Sequence, residues 1–165
     1  IKNTKNFKYP IYVRLAKGGD EIVTTKKQSF ILGKAKIFLD PRERVFISTG
    51  AMTQIAIKAS KIISEKHKIK CGVIHMPTIK PLDKKILRKY IPKVEKIVTV
   101  EENYLVGGFG SSILEFVSDN FSKYTNKIKR VGIKNKFIKN YSDQETLLNI
   151  YGLNVNNLVK TMLCK

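Results

Sequence analysis

The chain has 165 residues, 42% of them hydrophobic and 27% charged, with a formal net charge of +19. That length suits one domain able to bury roughly 70% of its unfolded surface. No apolar run approaches the ~20 residues of a membrane-spanning helix, so a helical membrane protein is excluded. Of the 32 basic residues, five are arginine, at positions 14, 42, 44, 88 and 130, and the rest are lysines spread from Lys2 to Lys165. Arginine is the better bidentate reader of phosphate and guanine. A dispersed lysine surface therefore predicts a solvated exterior, and nucleic acid is not an expected partner.

Ile1-Lys2-Asn3-Thr4-Lys5-Asn6 lacks the apolar stretch of a signal peptide, and the chain does not open on Met. The expectation is a piece of something longer. Cys71 falls in an apolar, strand-like run and Cys164 lies beside the C-terminus. Two cysteines so placed form no disulfide framework, and a cytoplasmic setting is expected.

Along the chain, Tyr9–Leu15 is rich in aromatic and β-branched residues and predicts a strand, ended by Lys17-Gly18-Gly19-Asp20. Ile31–Leu39 predicts a second strand, half polar and therefore at an edge, followed by a turn at Asp40-Pro41-Arg42-Glu43. A regular alternation begins at Arg44–Gly50, a strand. A helix follows over Met52–Lys66, with Ile55, Ala59, Ile62 and Ile63 on one stripe. Cys71–His75 is the next strand, and Asp83–Tyr90 a short helix with Asp83 as N-cap. Lys96–Val100 is a strand, and Gly108–Asn120 a helix carrying Ile113, Phe116 and Val117, with Ser111 or Ser112 as its cap. Lys127–Val131 is the last strand. Two helices close the chain: Ser142–Tyr151, capped by Ser142 with Glu145 three residues on, and Asn154–Leu163. Strands alternating with helices imply βαβ units. The fold class expected is α/β: a three-layer α/β/α sandwich with a mostly parallel sheet of about five strands, one of them an antiparallel edge strand.

Chemistry is sparse. Val106-Gly107-Gly108-Phe109-Gly110-Ser111-Ser112 lies between strand and helix, but it is neither G-x-G-x-x-G nor a P-loop. Close packing of the helix start is the reading it supports. Glu101 and Glu102 are adjacent on a strand and point to opposite faces, so they are no acid–base pair; either could cap the following helix or make a salt bridge. His75 ends a strand with no second ligand at metal spacing, and His67 sits in a lysine-rich helix end. No nucleophile constellation can be named. An α/β domain without its own active site is often a partner of domains that have one.

Three blocks carry a resemblance. They are Leu32-Gly33-Lys34-Ala35 with Arg44–Met52, Thr78-Ile79-Lys80-Pro81-Leu82-Asp83, and Val98-Thr99-Val100-Glu101-Glu102-Asn103 with Gly107-Gly108-Phe109-Gly110-Ser111. Together with Tyr151-Gly152-Leu153 they resemble the C-terminal domain of the transketolase family of thiamine diphosphate enzymes, over roughly residues 30 to 165.

The resemblance implies residues 28–165 as that domain and residues 1–27 as linker and tail of the preceding pyrimidine-binding domain. It implies a sugar-phosphate role for Arg14, and in the 1-deoxyxylulose-5-phosphate synthase branch for the basic residue at Lys17. A fixed cation on a phosphate is a charge-assisted bond. It implies two-carbon or acyl transfer on thiamine diphosphate held by Mg²⁺, cofactors bound by the complete enzyme and not by this chain, with no catalytic residue here. The expected partners are the N-terminal and pyrimidine-binding domains, fused or separate, in a homodimer; no membrane is involved.

Asn103 and the Gly-Gly-Phe-Gly-Ser pattern resemble the synthases. Pro77, and Leu15-Ala16-Lys17 after Arg14, depart from them and favour a transketolase-like enzyme. A 2-oxoacid dehydrogenase β subunit and a non-catalytic basic binding module are the remaining alternatives.

Overall fold

A computed structural model describes residues 4–15, 20–25 and 29–164. Five strands form one mixed sheet: β1 (Lys36–Leu39), β2 (Arg44–Ser48), β3 (Cys71–His75), β4 (Lys96–Tyr104) and β5 (Ile128–Ile133). Their spatial order is β1-β3-β2-β4-β5. β1 lies antiparallel on β3, and the other three pairs are parallel. The antiparallel edge strand is therefore present, but only the last four residues of the expected segment pair. Gly33, at φ 72°, turns the chain before them, a conformation that costs glycine little.

Helices α1 (Met52–His67), α2 (Lys84–Tyr90), α3 (Phe109–Phe121), α4 (Gln144–Ile150) and α5 (Val155–Leu163) complete the chain. Successive residues of β2 feed opposite cores. Phe46 joins Val73, Val98, Val100 and Val131 against Met52, Ala56, Ala59 and Ile63 of α1 and Leu158 and Met162 of α5. Val45 and Ile47 join Ile74 and Ile97 against Leu87 and Tyr90 of α2 and Ile113, Phe116 and Val117 of α3. A strand covered on both faces must be apolar at every position, which explains the unbroken Val-Phe-Ile run. Truncating a ring such as Phe46, fully buried, to alanine costs ~3–5 kcal/mol.

Asp83 caps α2, one carboxylate oxygen accepting from the Ile86 N–H at 3.3 Å. Its other oxygen accepts from the Ala35 N–H at 3.0 Å. A local helix cap thereby also holds the chain entering β1.

Several expectations need correction. Tyr9–Leu15 forms no strand and is exposed along its length. Its β-pattern finds no sheet edge, and a strand without a neighbour leaves its backbone unpaired. The buried stripe of α1 is Met52, Thr53, Ala56, Ala59, Ser60 and Ile63, while Ile55 and Ile62 are only half-buried. Small residues line this stripe where α1 lies against the sheet and α5. The α4 cap is Asp143, whose side chain accepts from the Thr146 N–H at 2.9 Å, and not Ser142. A 3-10 helix at Ser122–Lys127 was not foreseen.

Candidate functional site at the carboxyl edge of the sheet

The parallel strands end at Ser48, His75, Tyr104 and Ile133, and several polar groups of the fold collect around those ends. Ligands of open parallel sheets bind beyond this edge.

Glu101 is 1% exposed. Its carboxylate accepts the backbone N–H groups of Phe109 at 2.6 Å and Gly110 at 2.8 Å. It therefore caps α3 from the preceding strand, where the helix dipole favours a negative charge. Gly108 occupies the N-cap position and contributes no side chain. Ser111 donates instead to the Leu105 carbonyl at 2.7 Å, and Ser112 to the Gly108 carbonyl at 3.4 Å. The serine cap expected from sequence is thus supplied by Glu101. Burial pushes its carboxyl up, and the Gly110 and Phe109 N–H groups and the nearby Arg130 push it back in part. Arg130 donates to the Leu105 carbonyl at 2.9 Å and to Ser111 Oγ at 2.7 Å, closing the Gly-rich loop from below.

Glu102 points the other way, as strand alternation requires. Its carboxylate accepts from Gln144 Nε2 at 3.2 Å. Its backbone carbonyl accepts from Arg14 Nη1 at 3.0 Å. Arg14 is thus brought to the carboxyl edge. Lys17, the other predicted substrate-binding residue, lies outside the described residues.

His75 Nδ1 lies 2.7 Å from Thr53 Oγ1, which is 2.9 Å from Ser48 Oγ. The edge of Phe38 faces the imidazole, with ring centroids 6.0 Å apart. Burial, and secondarily the charge of Lys36, lower the His75 pKa to about 4. At neutral pH His75 is a neutral, hydrogen-bonded structural residue. The sequence signal for this network was weak, because Ser48 and Thr53 are only joined through the turn at Gly50.

Among the described residues no three His, Cys, Asp or Glu side chains gather to hold a metal ion. Glu101 is occupied by the α3 N–H groups, Glu102 by Gln144 and His75 by Thr53. This donor set does not fit Mg²⁺ and a diphosphate. Two open grooves, of about 330 and 230 Å³, lie at the opposite, amino edge, beside Cys71 and Lys96 respectively.

A family model, described as the C-terminal domain of transketolase, matches residues 33–158. A 1-deoxy-D-xylulose-5-phosphate synthase of Caldanaerobacter subterraneus is 33% identical over 99% of this chain and 26% of its own length. A protein of Methanocaldococcus jannaschii named as a transketolase C-terminal section is 31% identical over 99% of this chain and 50% of its own. The chain thus spans a quarter to a half of the length of these curated relatives.

Among solved structures, a split-gene transketolase described as an inactive beta4 tetramer superposes with a TM-score of 0.78. It shares 26% identity and covers 87% of this chain and 46% of that one. A Campylobacter jejuni transketolase, 18% identical, shares the fold with a TM-score of 0.55 over 81% of this chain and 19% of that one. The family match over residues 33–158 and the superposition on a split-gene transketolase lead to one conclusion: the chain belongs to the transketolase C-terminal domain family.

Proposed function

We propose that the chain is the C-terminal section of a thiamine diphosphate-dependent, transketolase-like transferase acting on sugar phosphates or related sugars. The observation that carries this reading is the full-length similarity to a transketolase C-terminal section, 31% identical over 99% of the chain. In the complete enzyme the cofactor and its Mg²⁺ supply the carbanion chemistry. This chain contributes packing, dimer contacts and the phosphate-binding cations Arg14 and Lys17.

Residues 1–27 are the tail and linker of the pyrimidine-binding domain. Tyr9, Tyr12 and Leu15 are 73%, 90% and 76% exposed. Large apolar side chains so displayed fit a surface meant for another domain. Arg14 binds the substrate phosphate. One guanidinium N–H is fixed by the Glu102 carbonyl, leaving the others of its five donors for an anion. Lys17 is proposed as a second cation on the same phosphate.

The 1-deoxy-D-xylulose-5-phosphate synthase reading is favoured by the names of several relatives, among them one from Clostridium acetobutylicum, 34% identical over 94% of this chain.

The test is reconstitution. The chain is mixed with, or expressed fused to, a polypeptide carrying the cofactor-binding and pyrimidine-binding domains, and assayed for two-carbon transfer between sugar phosphates and for 1-deoxy-D-xylulose 5-phosphate formation. Activity only in the mixture is expected, and the product formed distinguishes the two readings. Transferase activity by the chain alone, or none in any combination, overturns the proposal.

A further inference from the structure

At the amino edge, away from the carboxyl-edge polar cluster, four cations gather on the face covered by α5. Arg44 and Lys96 open the neighbouring strands β2 and β4 and are register partners. Arg44 lies two residues before Phe46, Lys96 two before Val98 and Lys129 two before Val131, all of which enter the α1/α5 core. Alternation therefore turns all three cations toward that same face. Lys129 is two register positions further along, on β5, where it pairs with Val98. Lys160 joins from the exposed side of α5.

With Asn157, Thr161 and Cys164, three of these lysines line an open groove of about 230 Å³. Among the described residues, no Asp or Glu lines it. The ion pairs within 4 Å among the described residues, Arg42–Asp40 and Lys58–Glu21, lie elsewhere.

The end of α5 answers part of this charge. Arg44 Nη1 donates to the Met162 carbonyl at 2.6 Å, and Lys96 Nζ donates to the Cys164 carbonyl. Those bonds suit a helix C-terminus, but they use one N–H from each cation. Arg44 Nε is buried with no hydrogen-bond partner, an arrangement that costs free energy unless something accepts from it. Lys129 and Lys160 are exposed and face the groove without an anion. Burial and the positive charge of Arg44, with a smaller push from Lys129, lower the pKa of Lys96, and Cys164 opposes them only in part.

We propose that this amino-edge groove binds a small multivalent anion of the polyphosphate or phosphate-ester class, held by Lys96, Lys129 and Lys160 with Arg44 behind them. The groove has room for roughly eight waters at their liquid volume. That is less than the ~300 Å³ from which drug-sized sites begin, so the phosphates enter and any attached organic group stays outside. The site is separate from the sugar-phosphate contact assigned to Arg14 and does not depend on it.

The test is calorimetric titration of the chain with inorganic tripolyphosphate in 150 mM NaCl, with ATP and fructose 1,6-bisphosphate in parallel to identify the carrier. Two double variants lose the same two charges from exposed positions: Lys129→Gln with Lys160→Gln in the groove, and Lys84→Gln with Lys85→Gln at the start of α2, which packs on the opposite face of the sheet. Saturable one-site binding that weakens tenfold or more in the groove variant, and less than twofold in the other, is the expected result. Equal weakening in both variants, or no saturable binding of any of the three anions, would overturn the proposal. Thermal midpoints of both free variants within about 2 °C of the parent exclude misfolding as the cause of a loss.

Discussion

The carboxylate of Glu101 occupies the space that a side chain on Gly108 would need. A Cβ built on Gly108 collides with that carboxylate and with the Tyr104 carbonyl. Gly108 has φ −81° and ψ −171°, an extended backbone open to any residue, so only the close approach demands glycine there. Gly107 is the converse, with φ 68° and nothing near its missing side chain. Gly108→Ala is expected to cost ~1–3 kcal/mol by overpacking the α3 cap. Gly107→Ala should cost ~1–2 kcal/mol through left-handed strain alone. Urea unfolding measures both. Adding Glu101→Ala should relieve part of the Gly108→Ala penalty, the collision with the Tyr104 carbonyl remaining, and none of the Gly107→Ala penalty; equal behaviour of the two pairs would refute the assignment.

His75 makes stability depend on pH. Its folded pKa of about 4 lies below the ordinary 6.5, so between these values the unfolded chain binds more protons. Stability is then complete above about pH 6.5 and falls as pH drops toward 4, by at most ~3 kcal/mol. Unfolding curves at pH 7 and 4.5 should show that loss. His75→Gln should be less stable at pH 7 yet lose less between the two values. An unchanged pH difference in the variant would remove His75 as the cause.

The two cysteines should differ sharply toward alkylation. Cys71 is 5% exposed. Burial pushes its pKa up to about 12, against smaller opposing effects from the Ser60 hydrogen bond and Arg44. Cys164 is exposed. Since the thiolate is the nucleophile, iodoacetamide at pH 7.5 should modify Cys164 in the folded chain and Cys71 only after unfolding. Mass spectrometry of peptides resolves the two sites. Rapid labelling of Cys71 in the native state would contradict its burial.

Arg14 can be tested in a reconstituted enzyme. Arg14→Met should raise KM for a phosphorylated acceptor about tenfold or more, as loss of a charged hydrogen bond worth ~1.5–3 kcal/mol requires. KM for an unphosphorylated sugar should move little. An equal effect on both substrates would make Arg14 a packing residue.

Sequence alone determined the elements whose signals are local. Cys71–His75 pairs over the residues expected, because a short apolar run bounded by polar segments has few other uses. Asp83 caps α2 because its side chain reaches an N–H only three residues away. The opposed directions of Glu101 and Glu102 follow from strand pleating, and the edge position of β1 from its half-polar character.

Tertiary structure decided the rest. Which glutamate is buried depends on where α3 lands, and β4 runs on to Tyr104 because β5 is there to pair with it. Tyr9–Leu15 carries a strand pattern but meets no edge. Met52 and Ala56 displace Ile55 and Ile62 in the buried stripe because α1 rests against the sheet and α5. The contact of Arg14 with the Glu102 carbonyl spans 88 residues, and the amino-edge cations come from three strands and a helix. Neither leaves a periodic trace, because long-range proximity is set by how layers stack and not by spacing along the chain.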